Sequence, residues 1–253
     1  MRKTVFIILS LFLSGCVANT AYTVTPAEYA QQVKALGVLP VLIDAESIDY
    51  AARDELFSLL ELSTAAVQQT LVDKLRKQGR HFDVRPVTGD PESIRTRILA
   101  GQSTVGETAS THLKYTFSSE GSAALADEAV ADALLVVVVH GIKRQEKRWS
   151  SFSLQMDYLR GDYSSLLYTA AVVDPTGRVL WQFDMEPGEV LLPLDYADFT
   201  EAYWNHTDSV RIKPITLPGL QRTMKESQGG LMVDKEMPKP FGQMVDQIVG
   251  GMK

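Results

Sequence analysis

Asp132-Ala133-Leu134-Leu135-Val136-Val137-Val138-Val139-His140 is the stretch that decides the fold. The apolar run from Ala133 to Val139 has strand length, and its β-branched residues suit a pleated surface. It shows no alternation of apolar and polar positions. That pattern predicts a strand buried on both faces, in the middle of a sheet. Such a strand needs covering layers on either side, which points to an α/β architecture.

The upstream sequence offers those layers. Leu36 to Ile43 is a short apolar run, and Pro40 within it lacks a ladder donor, so an edge-like strand is expected. A single long helix is predicted over about 51–78, with Asp49 as N-cap. Leu56, Leu60, Val67, Leu71 and Leu75 recur at close to helical spacing, and Gly79 is placed to end it. Phe82 to Val87 reads as a second strand. Asp90-Pro91 opens a second helix, with Ile94, Ile98 and Leu99 on its apolar face. Residues 101–122 are rich in Ser, Thr, Gly and Glu and are expected to form a long loop or mobile hairpin.

Downstream, three strands of an antiparallel meander are predicted. Trp149 to Tyr158 alternates, Arg160-Gly161-Asp162 reads as a turn, and Leu166 to Val173 returns. Asp174-Pro175-Thr176-Gly177 is a second turn before a strand over 178–184. Beyond about residue 187 the pattern weakens. Tyr196, Phe199, Tyr203 and Trp204 are expected to pack on the sheet as a lid, the alternative being a binding surface. Phe241, Met244, Val245, Ile248 and Val249 mark a C-terminal helix packed on the sheet, started by Pro238 and Pro240 and stopped by Gly250-Gly251. The fold class is therefore α/β: a mixed sheet with a long helix after the first strand, a central buried strand, a late antiparallel meander and a C-terminal helix.

The 253 residues are 45% hydrophobic and 22% charged, which excludes a disordered chain. A net charge of −6 argues against nucleic-acid binding, which needs a basic face. The amino terminus supplies an address. Arg2 and Lys3 precede an apolar run through Leu13 that is too short to span a bilayer, the proportions of a secretory signal peptide. Leu13-Ser14-Gly15-Cys16 resembles a bacterial lipobox, with cleavage before the lipidated Cys16. The resemblance implies a signal peptide over 1–15, a lipidated cysteine and tether over 16–35, and one periplasmic domain over 36–253 with a C-terminal extension from about 187. Val17, where inner-membrane lipoproteins tend to carry aspartate, implies retention at the outer membrane.

Three further motifs resemble periplasmic lipoproteins related to the curli-secretion lipoprotein and the TolB amino-terminal domain. They are Val38-Leu39-Pro40-Val41, Ala131-Asp132-Ala133, and Asp174-Pro-Thr-Gly-Arg-Val-Leu-Trp181. The resemblance covers about 36–184 and implies fold and compartment more than activity. The 103–122 region is longer than the family pattern, and no pair of amphipathic membrane strands stands out.

The chemistry-bearing residues form no catalytic set. His140-Gly141 after a buried strand is reminiscent of an esterase oxyanion loop, but no Gly-x-Ser-x-Gly accompanies it. His81, His112, His140 and His206 make no metal-ligand spacing, and there is no phosphate loop, so neither metal nor cofactor is expected. Lys143, Arg144, Lys147 and Arg148 form a basic cluster, read either as a solvated strand end or as an interaction surface. The expected function is non-enzymatic: a lipid-anchored protein that binds another envelope component, most simply a protein, with its oligomeric state open. A structural subunit of a secretion or assembly complex is the first alternative and a hydrolase the second. Cys16→Ser is expected to abolish labelling by a radioactive or clickable fatty acid and to leave the precursor uncut. Normal labelling of the variant would refute the lipobox reading.

Overall fold

The computed structural model describes residues 20–150, 158–225 and 237–253. The chain enters through β1 (Thr20–Tyr22) and α1 (Pro26–Gln32), then β2 (Ala35–Val38) and β3 (Leu42–Asp44). Helices α2 (Arg53–Thr64) and α3 (Val67–Gln78) lead to β4 (Asp83–Pro86). Next come α4 (Pro91–Ile98), the hairpin β5 (Leu99–Val105) and β6 (His112–Phe117), and α5 (Ser119–Ala129). The long strands β7 (Ala133–Trp149) and β8 (Tyr158–Val173) precede β9 (Val179–Asp184). The rest is β10 (Leu192–Pro193), β11 (Asp195–Ala197), α6 (Phe199–Trp204), β12 (Ile212–Pro214), α7 (Leu217–Lys225) and α8 (Lys239–Gly251).

The main sheet runs β1-β9-β8-β7-β2-β4, with β3 also on β7 and β10 also on β8. β2, β4 and β7 are mutually parallel, while β8, β9 and β1 continue antiparallel. The sheet is thus mixed, as the α/β reading requires, with β7 at its centre. Alternate β7 residues feed two cores. Leu135, Val137 and Val139 meet Leu60, Leu71 and Leu75 of α2 and α3 and Met244 and Ile248 of α8. Leu134, Val136 and Val138 meet Ile94 and Ile98 of α4, Leu125 of α5 and Tyr115 of β6. Period-two alternation of Cβ directions is why an unbroken apolar run serves both layers.

Several local expectations are corrected. The run over 36–43 is two strands, and β2 is internal, between β4 and β7. Pro40 falls in the gap between them, where no ladder bond is asked of it. The helix over 51–78 is two helices separated at Ala65-Ala66. Near the break the hydroxyls of Ser63 and Thr64 donate back to the Leu59 and Leu60 carbonyls, a bonding that bends helices. Ala52, not Asp49, is the N-cap of α2, and Asp49 instead pairs with Lys143.

The segment expected as a tether is built into the domain from Thr20. β1 pairs with β9, and Tyr29 and Val33 are buried. Its overlooked signal is a capping box in which Thr25 and Glu28 exchange bonds across Pro26. The Ser/Thr-rich segment is the paired hairpin β5–β6 followed by α5.

Arg160-Gly161-Asp162 is not a turn: the three residues lie in β8, opposite Lys147, Glu146 and Gln145. A Cβ at Gly161 would overlap the tip of the Ile212 side chain. Trp149 ends β7 and Tyr158 begins β8, so one strand over 149–158 is excluded at its ends, and 151–157 lie outside the described residues. The aromatic lid is also overturned, because Tyr196, Tyr203 and Trp204 are exposed.

Gly141, on β7, packs against the 3-10 turn Ala45–Ser47 that follows β3. A Cβ there would press on the Ser47 carbonyl and lie 2.6 Å from the Ile48 Cα. Backbone cannot yield as a side-chain tip can. Gly141→Ala is therefore expected to destabilise the fold by about 1–3 kcal/mol, read from urea midpoints. An unchanged midpoint would refute this close packing.

Candidate functional site

β2 is where the chain's crossovers diverge. From β2, α2 and α3 pass over one sheet face to β4. From β4, α4, the β5–β6 hairpin and α5 return over the other face to β7, on the opposite side of β2. The connections part beyond the carboxyl ends of these parallel strands, the place where open α/β sheets leave a crevice. A cleft of about 240 Å³ lies there. Pro40, Val41 and Ile43 from the β2–β3 gap form one wall. Phe57, Glu61, Thr64, Ala65 and Gln68 from the α2–α3 joint form the second, and Pro91 and Glu92 from the start of α4 the third.

The polar groups of the cleft are mostly committed. The Gln68 amide donates 2.8 Å bonds to the carbonyls of both Val38 and Val87, satisfying backbone where β2 and β4 end. The Thr64 hydroxyl is bonded to Leu60. Glu92 accepts two bonds from Arg95, whose guanidinium holds its carboxyl below the ordinary range. What remains is an apolar lining of Pro40, Val41, Ile43, Phe57 and Pro91 with Glu61 exposed beside it. Such a site can seat an apolar group, with a carboxylate at its rim. Among the described residues no serine, cysteine or histidine lines it.

Of the residues singled out in the sequence, His140 is fully buried. Its Nδ1 lies 3.3 Å from the Gly141 carbonyl, its Nε2 has no partner among the described residues, and its ring meets Tyr115 edge-on. The Tyr115 hydroxyl donates to Asp44 at 2.8 Å. The Gly141 amide, the group an oxyanion loop would present, donates instead to Ser47 Oγ. Ser165 is equally buried, and its Oγ also lacks a partner among the described residues. Among the described residues no hydroxyl bonds to the imidazole. Among the described residues no set of three His, Cys, Asp or Glu could hold a metal ion.

Strand alternation divides the basic cluster. Arg144 is buried, bonded by Nε to Glu146 at 2.7 Å and by its terminal nitrogen to the Glu189 carbonyl. Arg148 pairs with the other Glu146 oxygen at 2.6 Å and lies over Tyr163. Lys143 and Lys147 are exposed on the opposite face. The structure therefore brings Arg144 and Arg148 together around one glutamate and separates them from the lysines. Leu13, Ser14, Gly15, Cys16 and Val17 lie outside the described residues. Sequence reasoning missed the cleft. Its only traces were Pro40 inside an apolar strand and two alanines in the middle of a helix.

Burial pushes His140 down to about 4, and burial beside Arg80 does the same to His81, which faces the Tyr29 hydroxyl. Both rings are held neutral in the folded chain and titrate near 6.5 when unfolded. As pH falls from 6.5 towards 4 the unfolded chain takes up these protons first. Stability is therefore full above about pH 6.5 and lost as pH falls to 4, at roughly 3 kcal/mol per ring. Melting temperature should drop across that window, with a shallower slope in His140→Leu or His81→Phe. An equal slope in both variants would refute the assignment.

No family model and no curated protein matches the chain. Among solved structures, the chain is similar to a neuraminyllactose-binding hemagglutinin homolog from Helicobacter pylori. That likeness has 9% identity and a TM-score of 0.40, over 87% of this chain and 86% of that one.

Proposed function

We propose that this chain is a lipid-anchored, non-catalytic binding protein of the bacterial envelope. It is held through Cys16 at the periplasmic face of the outer membrane and takes an apolar group of its envelope partner into the cleft beside β2. The cleft is the observation that supports this reading. It sits at the switch point of the crossovers and is walled by Pro40, Val41, Ile43, Phe57 and Pro91, with no serine, cysteine or histidine lining it among the described residues. A volume of about 240 Å³ suits one or two large apolar side chains rather than an extended polymer. Burial of one such side chain is worth about 1.5–3 kcal/mol. The lipobox resemblance supplies the compartment, and the acidic composition keeps nucleic acid out of consideration.

Ala65 is exposed at the cleft wall, so it accepts a larger residue without repacking the core. A photo-cross-linking residue at position 65 in cells should capture a protein that the same residue at exposed Asp127, on α5, does not. With the cross-linking residue moved to exposed Glu61 on the same wall, Ala65→Trp, which fills the cleft, should reduce capture at least about tenfold while leaving the melting temperature within a few degrees. Equal capture from both positions, or capture indifferent to Ala65→Trp, would remove the cleft from binding.

A further inference from the structure

The β7–β8 hairpin outruns the rest of the main sheet. β9 stops on β8 at Thr169, and β10 covers only Ser165 and Leu166. Beyond that, Lys143–Trp149 and Tyr158–Ser164 form seven pairs with no further strand of the main sheet beside them among the described residues, an arm of about 20 Å. Its composition departs from that of the chain. Lys143, Arg144, Lys147, Arg148 and Arg160 face only Glu146 and Asp162, in a protein of net charge −6. Glu146 is committed to Arg144 and Arg148, and Lys143 to Asp49, which leaves Lys147 and Arg160 as exposed cations.

Two exposed aromatic rings lie at the far end of the arm. Trp149 and Tyr158 are directly opposed, with ring centroids 5.0 Å apart, and are 54% and 47% exposed. The Lys147 ammonium sits 4.9 Å above the Tyr158 ring. Paired Trp and Tyr flanked by Lys and Arg is the chemistry of a lipid headgroup boundary, where rings enter the interface and ammonium groups meet phosphate. Among the described residues the arm has no apolar face, because Arg144, Glu146 and Arg148 occupy one side and Lys143, Gln145 and Lys147 the other. That fits a seat on a bilayer surface.

The direction of β1 agrees. β1 runs antiparallel to β9, so Thr20 lies at the end of β1 towards which the hairpin projects. Three residues lie between Cys16 and Thr20, a reach of at most about 14 Å. Thr20 is level with Ala170, twelve residues or about 40 Å along β8 from Tyr158, so anchor and arm meet one bilayer only with the hairpin lying along its surface.

We propose that the outer β7–β8 arm docks on an anionic lipid surface through Trp149, Tyr158, Lys147 and Arg160, orienting the domain on the membrane that holds its anchor. The anchor belongs to the preceding functional reading, whereas the arm's affinity for lipid can be measured without it. The chain over 17–253 contains every described element and lacks the lipidated cysteine. It is expected to co-sediment with phosphatidylglycerol–phosphatidylethanolamine vesicles and much less with phosphatidylcholine vesicles, and to dissociate as salt is raised. Lys147→Glu with Arg160→Glu should weaken binding at least about tenfold without lowering the melting temperature. In a Trp204→Phe background, where Trp181 is buried, anionic vesicles should blue-shift the emission, and Trp149→Phe should remove the shift. Absence of vesicle binding, equal binding to neutral vesicles, or indifference to the double charge reversal would each overturn the proposal. Capture of an acidic protein by the arm with no binding to vesicles would assign the surface to that partner instead.

Discussion

Burial of Ala133–Val139 on both faces is the constraint on which the rest of the molecule depends. Each side chain of this run is at most 1% exposed. Neither face of β7 can be left to water, because each Leu or Val uncovered would cost about 1.5–3 kcal/mol. The chain must therefore supply two separate covers. It does so with α2, α3 and α8 on one side and α4, α5 and β6 on the other. That demand forces the parallel crossovers, since helices reach opposite faces of a sheet only by leaving it in opposite directions.

The cleft follows from the same demand. Where the two crossovers part, no described element fills the space above the strand ends, and the backbone there needs other partners. Gln68 supplies them by bridging Val38 and Val87, and Pro40 removes one donor that would otherwise need satisfying. The helix break at Ala65-Ala66 widens the gap further. A cavity walled by apolar residues is thus the product of topology and small side chains, and its apolar lining and position suit ligand binding.

The elements written in local pattern were legible in the sequence. The β7 core, the Gly79 cap at φ 71°, the Asp90 cap of α4 and the α8 stripe each depend on a few adjacent residues. What was illegible depends on distant partners. Pro40 reads as an edge marker until β2 is seen between β4 and β7. Gly161 reads as a turn until Ile212 is seen over it. The exposure of Tyr203 and Trp204 has no local signature, because an aromatic helix face looks the same covered or bare. The Lys143–Arg148 cluster was visible as composition. Its division into a buried Arg144–Glu146–Arg148 set and two outward lysines needed the strand's parity, which the expected turn at 160–162 had obscured.

That parity explains how one strand serves as both core and arm. At His140 the apolar run ends, and from Lys143 alternation replaces it. A uniform hydrophobic strand leaves its register weakly specified, because a slip of one residue exchanges like for like. In β7 a one-residue slip against β8 would turn Arg144 and Glu146 to water and carry Lys143 and Lys147 to the covered side, leaving buried ammonium groups without partners. The cost of an unpaired buried charge is several kcal/mol, more than a buried ion pair contributes in place. The Arg144–Glu146–Arg148 set therefore acts less as a source of stability than as a lock on register. It fixes which residues of the arm face outward, and so sets the spacing of Lys147, Trp149, Tyr158 and Arg160 on the exposed surface.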